Sequence, residues 1–505
     1  MKSKDAYEVL HKIGKEIRLL VSLGYFLEWD QETFMPKGAI DFRSEQVELI
    51  SSITHREITS DRFKKALEAL IDLKTGKARF NDLDEQQKAN LREWRRDYLH
   101  ETKLPNEFVK NFAKTSSKAT NAWAEAKKND TFETFSPHLE TLIDLCRKKA
   151  DFIGYEDHPY DAYLSIYEPG VTTKTLQSLF KTLKPFLRDL LKNVSESQTV
   201  DDAFLHGNFT QDSQKQFDHY LLEVMGANPK YSRLDFSEHP FCLGLHPHDV
   251  RLTTHTASSS FMQSISAVMH EGGHALYELN LPIEQYGAPL GEFASYGMHE
   301  SQSRWWETII GLGKPFWEFA YPKLQETFPN SLQKIDLDTF YQAINRARPS
   351  FIRIYADEIS YILHIILRFE IELDFLEGKL EVAELPQTWN QKMQESLGIT
   401  PKDDREGCLQ DIHWSAGLFG YFPTYALGNL YAAQLYETFT KVIPDHAKRI
   451  RQGNLQFITD FLTEKVHQFG RQYPPLELIE KGTKKPLSPE PYMNYLKEKF
   501  QNNPS

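Results

Sequence analysis

The sequence predicts a predominantly α-helical fold, and three observations carry that reading. Apolar residues recur at three- and four-residue steps through most of the 505 residues. Helix-start residues precede several of these stripes, and strand-like patterning is confined to residues 231–255. In the first segment Leu10, Ile13, Ile17 and Leu20 form the stripe, with Lys12, Lys15, Glu16 and Arg18 between them. Phe63, Leu67, Leu70 and Ile71 repeat it, as do Leu91, Trp94, Tyr98 and Leu99. Such stripes are read as core contacts. Ser136-Pro137 reads as an N-cap followed by proline at the first helical position. Thr173 or Thr175 reads as the cap of a helix carrying Leu176, Leu179, Phe180 and Leu183, which Pro185 should kink or stop. Residues 195–213 are polar and read as a connection. Helices are expected again at 300–312, 338–346, 352–376, 427–439 and 492–500, and residues 407–428 are rich in glycine and aromatics.

The stretch 231–255 differs in kind. Pro240, Gly244 and Pro247 exclude a continuous helix, while Val250, Leu252, Thr253 and Thr254 favour a short strand. The expectation is a loop and an edge strand placed directly before the segment that carries the chemistry. No internal repeat, low-complexity tract or long linker is visible. This favours one unit spanning 1–505, two-lobed and without a separable linker.

Composition narrows the partners. With 71 acidic and 59 basic residues the formal net charge is -12, which argues against nucleic acid or an anionic membrane surface as the general partner. Cys146, Cys242 and Cys408 are far apart and lack Cys-x-x-Cys spacing, so neither a disulfide framework nor a structural zinc knuckle is indicated. The N-terminus lacks an apolar signal core, and no apolar run approaches the ~20 residues of a membrane span. A cytoplasmic protein in a reducing compartment is expected.

His270-Glu271-Gly272-Gly273-His274 is the distinctive string. On a helix, residues four apart lie one above the other, so both imidazoles can point at one ion. Glu271 sits about 100° round the helix, placed to handle a water at that ion. A hydrolytic zinc site needs a third protein ligand and one open position. The position six beyond the motif is Asn280, which cannot serve. Glu300 lies 26 residues after His274, with Gly287, Pro289, Gly291 and Gly297 between them to reverse the chain. Glu278, Glu284 and Glu292 compete for that role, and Glu300 could equally be a solvent-facing helix residue. Glu271 would act as general base. Oxyanion donors could come from the histidines and tyrosines of 410–414 and 420–425, which spacing does not separate. An enzyme that reads a terminal carboxylate needs a fixed cation; Arg251, Arg304 and Arg353 are candidates, with structural ion pairing as the alternative for each.

Several strings together resemble a known family. They are His239-Pro240-Phe241, Asp249-x-Arg251-x-Thr253, His270-Glu271-x-x-His274, His299-Glu300-Ser301, Ile352-Arg353-x-x-Ala356-Asp357 and Gly407-x-x-Gln410-Asp411-x-His413-Trp414. In this order they resemble the thermostable metallocarboxypeptidases of the carboxypeptidase Taq type. The likeness extends through Trp29-Asp30-Gln31-Glu32-Thr33, Tyr167-Glu168-Pro169-Gly170 and Gly420-Tyr421-Phe422-Pro423. The resemblance implies a helical, saddle-like fold with a deep central groove and a small β-sheet near the metal. It implies a broad-specificity carboxypeptidase acting on peptides with a free C-terminus, with proline disfavoured. It implies His270, His274 and Glu300 as metal ligands, Glu271 as base and Arg353 as carboxylate anchor. Arg251 and His239 would line the substrate end, and His413 and Tyr421 would lie near the intermediate. One Zn2+ per chain, or Co2+, and a homodimer are further implications. One departure is local: the chain reads Thr483-Lys484-Lys485-Pro486-Leu487 where the family tends to have Thr-Gly before Pro-Leu.

Overall fold

A computed structural model of the chain describes residues 2–198 and 200–502. The chain is 69% helical with one small three-stranded sheet, as the periodicity predicts. Two compact units emerge, each assembled from three separate stretches. The first comprises Met1–Thr102, Asp201–Tyr341 and Leu435–Pro486; the second comprises Lys103–Val200, Gln342–Gln434 and Leu487–Ser505.

The stripe of the first segment does what its spacing requires. Within helix Ser3–Thr33, Leu10 and Ile13 are buried against Phe63, Leu67, Leu70, Leu91 and Trp94 of the first unit. The sheet of this unit runs β1 (Ser232–Phe236), β3 (Asp249–Thr254), β2 (Cys242–His246). β3 is therefore the central strand, parallel to β1 and antiparallel to β2, and not the edge strand expected. The reason lies in side chains distant in sequence. Arg233 on β1 and Arg251 on β3 are register partners, and the Trp29 indole has the Arg251 guanidinium 4.2 Å and the Arg233 guanidinium 4.9 Å from its ring centre. Each arginine pairs with an aspartate on its own strand, Asp235 or Asp249, and Trp29 Nε1 donates to Asp235 at 3.1 Å. This cation–π clamp fixes the first helix to the sheet.

Helix boundaries show further differences. Helix Phe132–Ile153 begins before Ser136-Pro137 and carries Pro137 inside it. Thr172, not Thr173 or Thr175, caps helix Thr173–Ser197, its hydroxyl accepting from Thr175 N–H. That helix runs on through Pro185. Its apolar face, with Leu183, Leu187, Leu190 and Val194 all buried, outweighs the one lost hydrogen bond. The stretch expected as one helix over 352–376 is a short 3-10 turn, Arg353–Tyr355, followed by helix Ser360–Leu376. Asp357 Oδ1 accepts from the N–H groups of Ile359 and Ser360 and so sets the true start. Among the described residues no helix is long and apolar enough to cross a membrane. The three cysteines are free thiols.

Candidate metal centre

Helix Phe261–Leu279 of the first unit packs on β2 and β3 and presents His270 and His274 on one face, their ring centres 4.9 Å apart. Helix Tyr296–Arg304 follows, capped by Ser295 Oγ, which accepts from Met298 N–H. It delivers Glu300, 7% exposed, with Oε2 lying 3.6 Å from His270 Nε2 and 3.7 Å from His274 Nε2. The glycine pair inside the motif makes this approach possible. A Cβ on Gly273 would sit 2.5 Å from the Gln302 carbonyl oxygen and 2.7 Å from Ser303 Cα, both backbone atoms of the Glu300 helix. A Cβ on Gly272 would meet Met225 at 2.7 Å on the opposite side, where helix Gln211–Met225 packs. The motif helix is thus crowded on two sides; at Gly273, where the neighbours are backbone, only glycine fits, whereas at Gly272 the neighbours are movable side-chain ends.

The donor set suits a divalent cation. One nitrogen of each histidine and one oxygen of Glu300 lie within 4.8 Å of one another. Tetrahedral coordination at ~2.1 Å places ligand atoms ~3.4 Å apart, close to the separations seen. His270 Nδ1 donates to Glu307 Oε2 at 2.8 Å, which leaves Nε2 facing Glu300. Without an ion, burial would lower the His270 pKa, but the Glu300 and Glu307 carboxylates outweigh it and raise it to about 9. His274 goes the other way: burial, with His299 and His270 adding to it, holds its imidazole neutral. Its ring stacks on His299 at 4.2 Å, and His299 Nε2 meets Glu278 Oε1 at 3.0 Å. Of the four glutamates open to the third-ligand role, Glu300 joins the histidines. Glu278 is engaged by His299, Glu284 is exposed, and Glu292 pairs with Arg471.

Glu271 is 7% exposed. Burial is the main reason its pKa rises to about 7, with His270 opposing. A carboxylate so placed is poised to gain and lose a proton near neutrality.

Sequence reasoning missed Glu307. It lies in a π-helical turn, Trp305–Ile310, directly after the Glu300 helix. Besides His270 it accepts from Arg304 at 2.6 Å and from Ser266 at 2.6 Å, and its pKa falls to about 2 because Arg304 and His270 outweigh burial. The available signal was Glu300, Arg304 and Glu307 at i, i+4 and i+7 on one helix face. Of the other expected residues in this unit, Arg251 gives Nε and Nη2 to Asp249 in the Trp29 clamp, and His239 sits in the exposed bend between β1 and β2.

The second unit holds Arg353, His413 and Tyr421 together with Asp411. Arg353 is 6% exposed and donates Nε and Nη2 to Asp411 Oδ1 at 3.1 and 2.8 Å, and Nη1 to Tyr361 at 3.2 Å. His413 Nε2 lies 3.3 Å from the Tyr425 hydroxyl, and its ring centre is 5.7 Å from that of Tyr421. Burial holds the His413 pKa down to about 4, against the pull of Asp411. Gln410 ties the segment together: its amide oxygen accepts from Arg353 N–H and Arg368, and its amide nitrogen donates to the Phe351 carbonyl.

A helical chain that brings two histidines and a glutamate to one point, beside a second buried glutamate, has the make-up of a metallopeptidase of the His-Glu-x-x-His kind. The comparisons with known proteins agree. The family model for carboxypeptidase Taq (M32) metallopeptidases matches residues 9–500. Carboxypeptidase 1 of Bacillus subtilis is 40% identical over 500 residues, 99% of this chain and 98% of that protein. Thermostable carboxypeptidase 1 of Thermus thermophilus is 36% identical over 510 residues, 99% of each. The crystal structure of the M32 carboxypeptidase from Deinococcus radiodurans superposes with a TM-score of 0.95 at 32% identity, covering 99% of both chains. The chain belongs to the carboxypeptidase Taq (M32) metallopeptidase family, a metallocarboxypeptidase family whose chemistry implies a divalent metal.

Proposed function

We propose that the protein is a zinc-dependent carboxypeptidase that removes single residues from the C-terminus of peptides, with broad specificity and proline disfavoured. The observation that carries the reading is the His270–His274–Glu300 triad with Glu271 beside it, in a chain whose residues 9–500 match the family. His270, His274 and Glu300 hold the ion, and Co2+ is an alternative occupant of the same donors. When bound, the ion supplies Lewis-acid polarisation of the scissile carbonyl and lowers the pKa of water towards neutrality.

The chain's own residues do the rest. Glu271 takes a proton from the attacking water on its carboxylate and hands it to the departing amine nitrogen as the C–N bond breaks. In the metal-free protein burial raises its pKa, which makes it a stronger proton acceptor than an exposed carboxylate. Glu307 holds the His270 ring by its Nδ1–H, and the His299 ring fixes that of His274 by stacking. Arg353 receives the peptide's terminal carboxylate, which sets cleavage at the last bond. His413, neutral at pH 7, and Tyr421 donate to the developing oxyanion, and Arg251 and His239 contact the substrate. The two units act as one catalytic domain, and the protein works in the cytoplasm as a homodimer.

A mass spectrum of a peptide digest tests this reading. Successive loss of single C-terminal residues, abolished by C-terminal amidation, is expected. Internal fragments from an amidated peptide would overturn it in favour of an endopeptidase.

A further inference from the structure

Arg353 does not stand alone in its unit. Arg368, on helix Ser360–Leu376, is fully buried and shares the Asp411 carboxylate with it. The division is by oxygen. Arg353 sends Nε and Nη2 to Oδ1, whereas Arg368 sends Nε to Oδ2 at 2.7 Å. Arg368 also donates Nη1 to the His364 carbonyl at 2.8 Å and Nη2 to Gln410 Oε1 at 2.7 Å. Among the described residues each guanidinium makes three side-chain hydrogen bonds, but Arg368 is fully buried whereas Arg353 is 6% exposed.

The charges around this carboxylate do not cancel. Asp411 stays ionised, since Arg368 and Arg353 outweigh its burial and hold its pKa well below the usual range. His413 and His364 are neutral, both lowered chiefly by burial. Lys127 donates to the Gln410 carbonyl at 2.8 Å and adds a third cation. Glu372, raised to about 7 by burial, is held by Tyr160, Trp414 and the Gly420 N–H. Even with Glu372 ionised, the group formed by Arg353, Arg368, Lys127, Asp411 and Glu372 carries three positive charges against two negative ones. Without Arg368, both Asp411 oxygens could turn onto Arg353 as a bidentate pair and neutralise it.

We propose that Arg368 is a positioning residue for the carboxylate anchor: by holding Oδ2 of Asp411 it confines Arg353 to Oδ1 and preserves the surplus positive charge that a peptide's terminal carboxylate neutralises. The inference rests on Arg353 being that anchor.

The test compares Arg368→Met, Arg368→Lys and the double variant Arg368→Met/Asp411→Asn on an N-blocked peptide with a free C-terminus. kcat and KM are read separately, alongside melting temperature and metal content. Arg368→Met should raise KM roughly 10- to 100-fold with kcat and metal content little changed, as expected for one lost charge near an anion. Adding Asp411→Asn should restore much of that KM, because the competing carboxylate is gone. A purely structural role predicts the reverse, since the double variant loses more contacts; a KM equal to or above that of the single variant overturns the proposal. Should Arg368→Met not fold, Arg368→Lys decides: it keeps the charge, so KM should stay within about threefold of wild type whatever the melting temperature. A tenfold or greater rise there overturns the proposal. Arg353→Ala is run in parallel. If it weakens inhibition by free-acid and amidated peptides equally, the anchor reading itself fails, independently of Arg368.

Discussion

Replacing Glu307 by glutamine separates two effects that the metal centre combines. In the metal-free protein His270 has its pKa raised from 6.5 to about 9 by Glu300 and Glu307, against burial. A cation must displace that proton, so at pH 7, two units below 9, the apparent metal affinity is lowered by about 100-fold. The same shift makes imidazolium a stabilising group in the metal-free fold. Its contribution is fully present below pH 6.5 and is lost as pH rises through 9. Glu307→Gln keeps an acceptor for His270 Nδ1–H but removes the charge. Loss of the carboxylate partner should weaken metal binding about 10- to 100-fold once proton competition is absent. The lowered His270 pKa acts in the opposite direction at neutral pH; a drop of one unit would recover about tenfold. Zinc affinity measured by competition with a chromophoric chelator from pH 6.5 to 9.5 should therefore show the full deficit at pH 9.5 and a narrower one at pH 7. A deficit independent of pH, or none at pH 9.5, would refute the linkage between Glu307, the His270 proton and the metal.

Three further outcomes are expected. Glu271→Gln should bind zinc normally while kcat/KM falls by about three orders of magnitude or more, since it removes only the proton acceptor; metal content by atomic absorption alongside peptide turnover checks this, and retained turnover would move the base elsewhere. Glu300→Ala should lower metal occupancy and activity together, whereas full occupancy would assign the third ligand to another residue. Gly273→Ala drives a methyl group into the backbone of 302–303; a loss of about 1–3 kcal/mol by chemical denaturation, with weakened zinc binding, is expected from the forced shift of the Glu300 helix.

What the sequence revealed follows from which couplings are local. His270 and His274 are four residues apart, so helix geometry alone brings them together. Glu300 was reachable because the glycines and prolines of 281–297 mark a reversal, but choosing it over Glu278 and Glu292 needed their partners, His299 and Arg471, which are placed by tertiary packing. Glu307 remained hidden because its partner His270 lies 37 residues earlier on another helix and is brought within 2.8 Å only by tertiary packing. Pro185 read as a helix terminator, yet an apolar face continuing to Val194 carries the helix through it. Arg353 read as part of one helix over 352–376, whereas the Asp357 side chain claims the N–H groups of Ile359 and Ser360 and starts the helix later. β3 read as an edge because its parallel partner, rich in charged residues, is held by Trp29 some two hundred residues earlier. The resemblance supplied Arg353 and the direction of cleavage; the sharing of Asp411 with Arg368 is legible only in three dimensions.

The central claim is that the motif helix and the helix after it build one metal centre for peptide hydrolysis. Anomalous diffraction from crystals grown with zinc tests it most directly. The account predicts a single strong peak within about 2.0–2.2 Å of a nitrogen of His270, a nitrogen of His274 and a carboxylate oxygen of Glu300, with one position open towards Glu271. A peak coordinated without Glu300, or one whose fourth position is filled by another side chain, would contradict it.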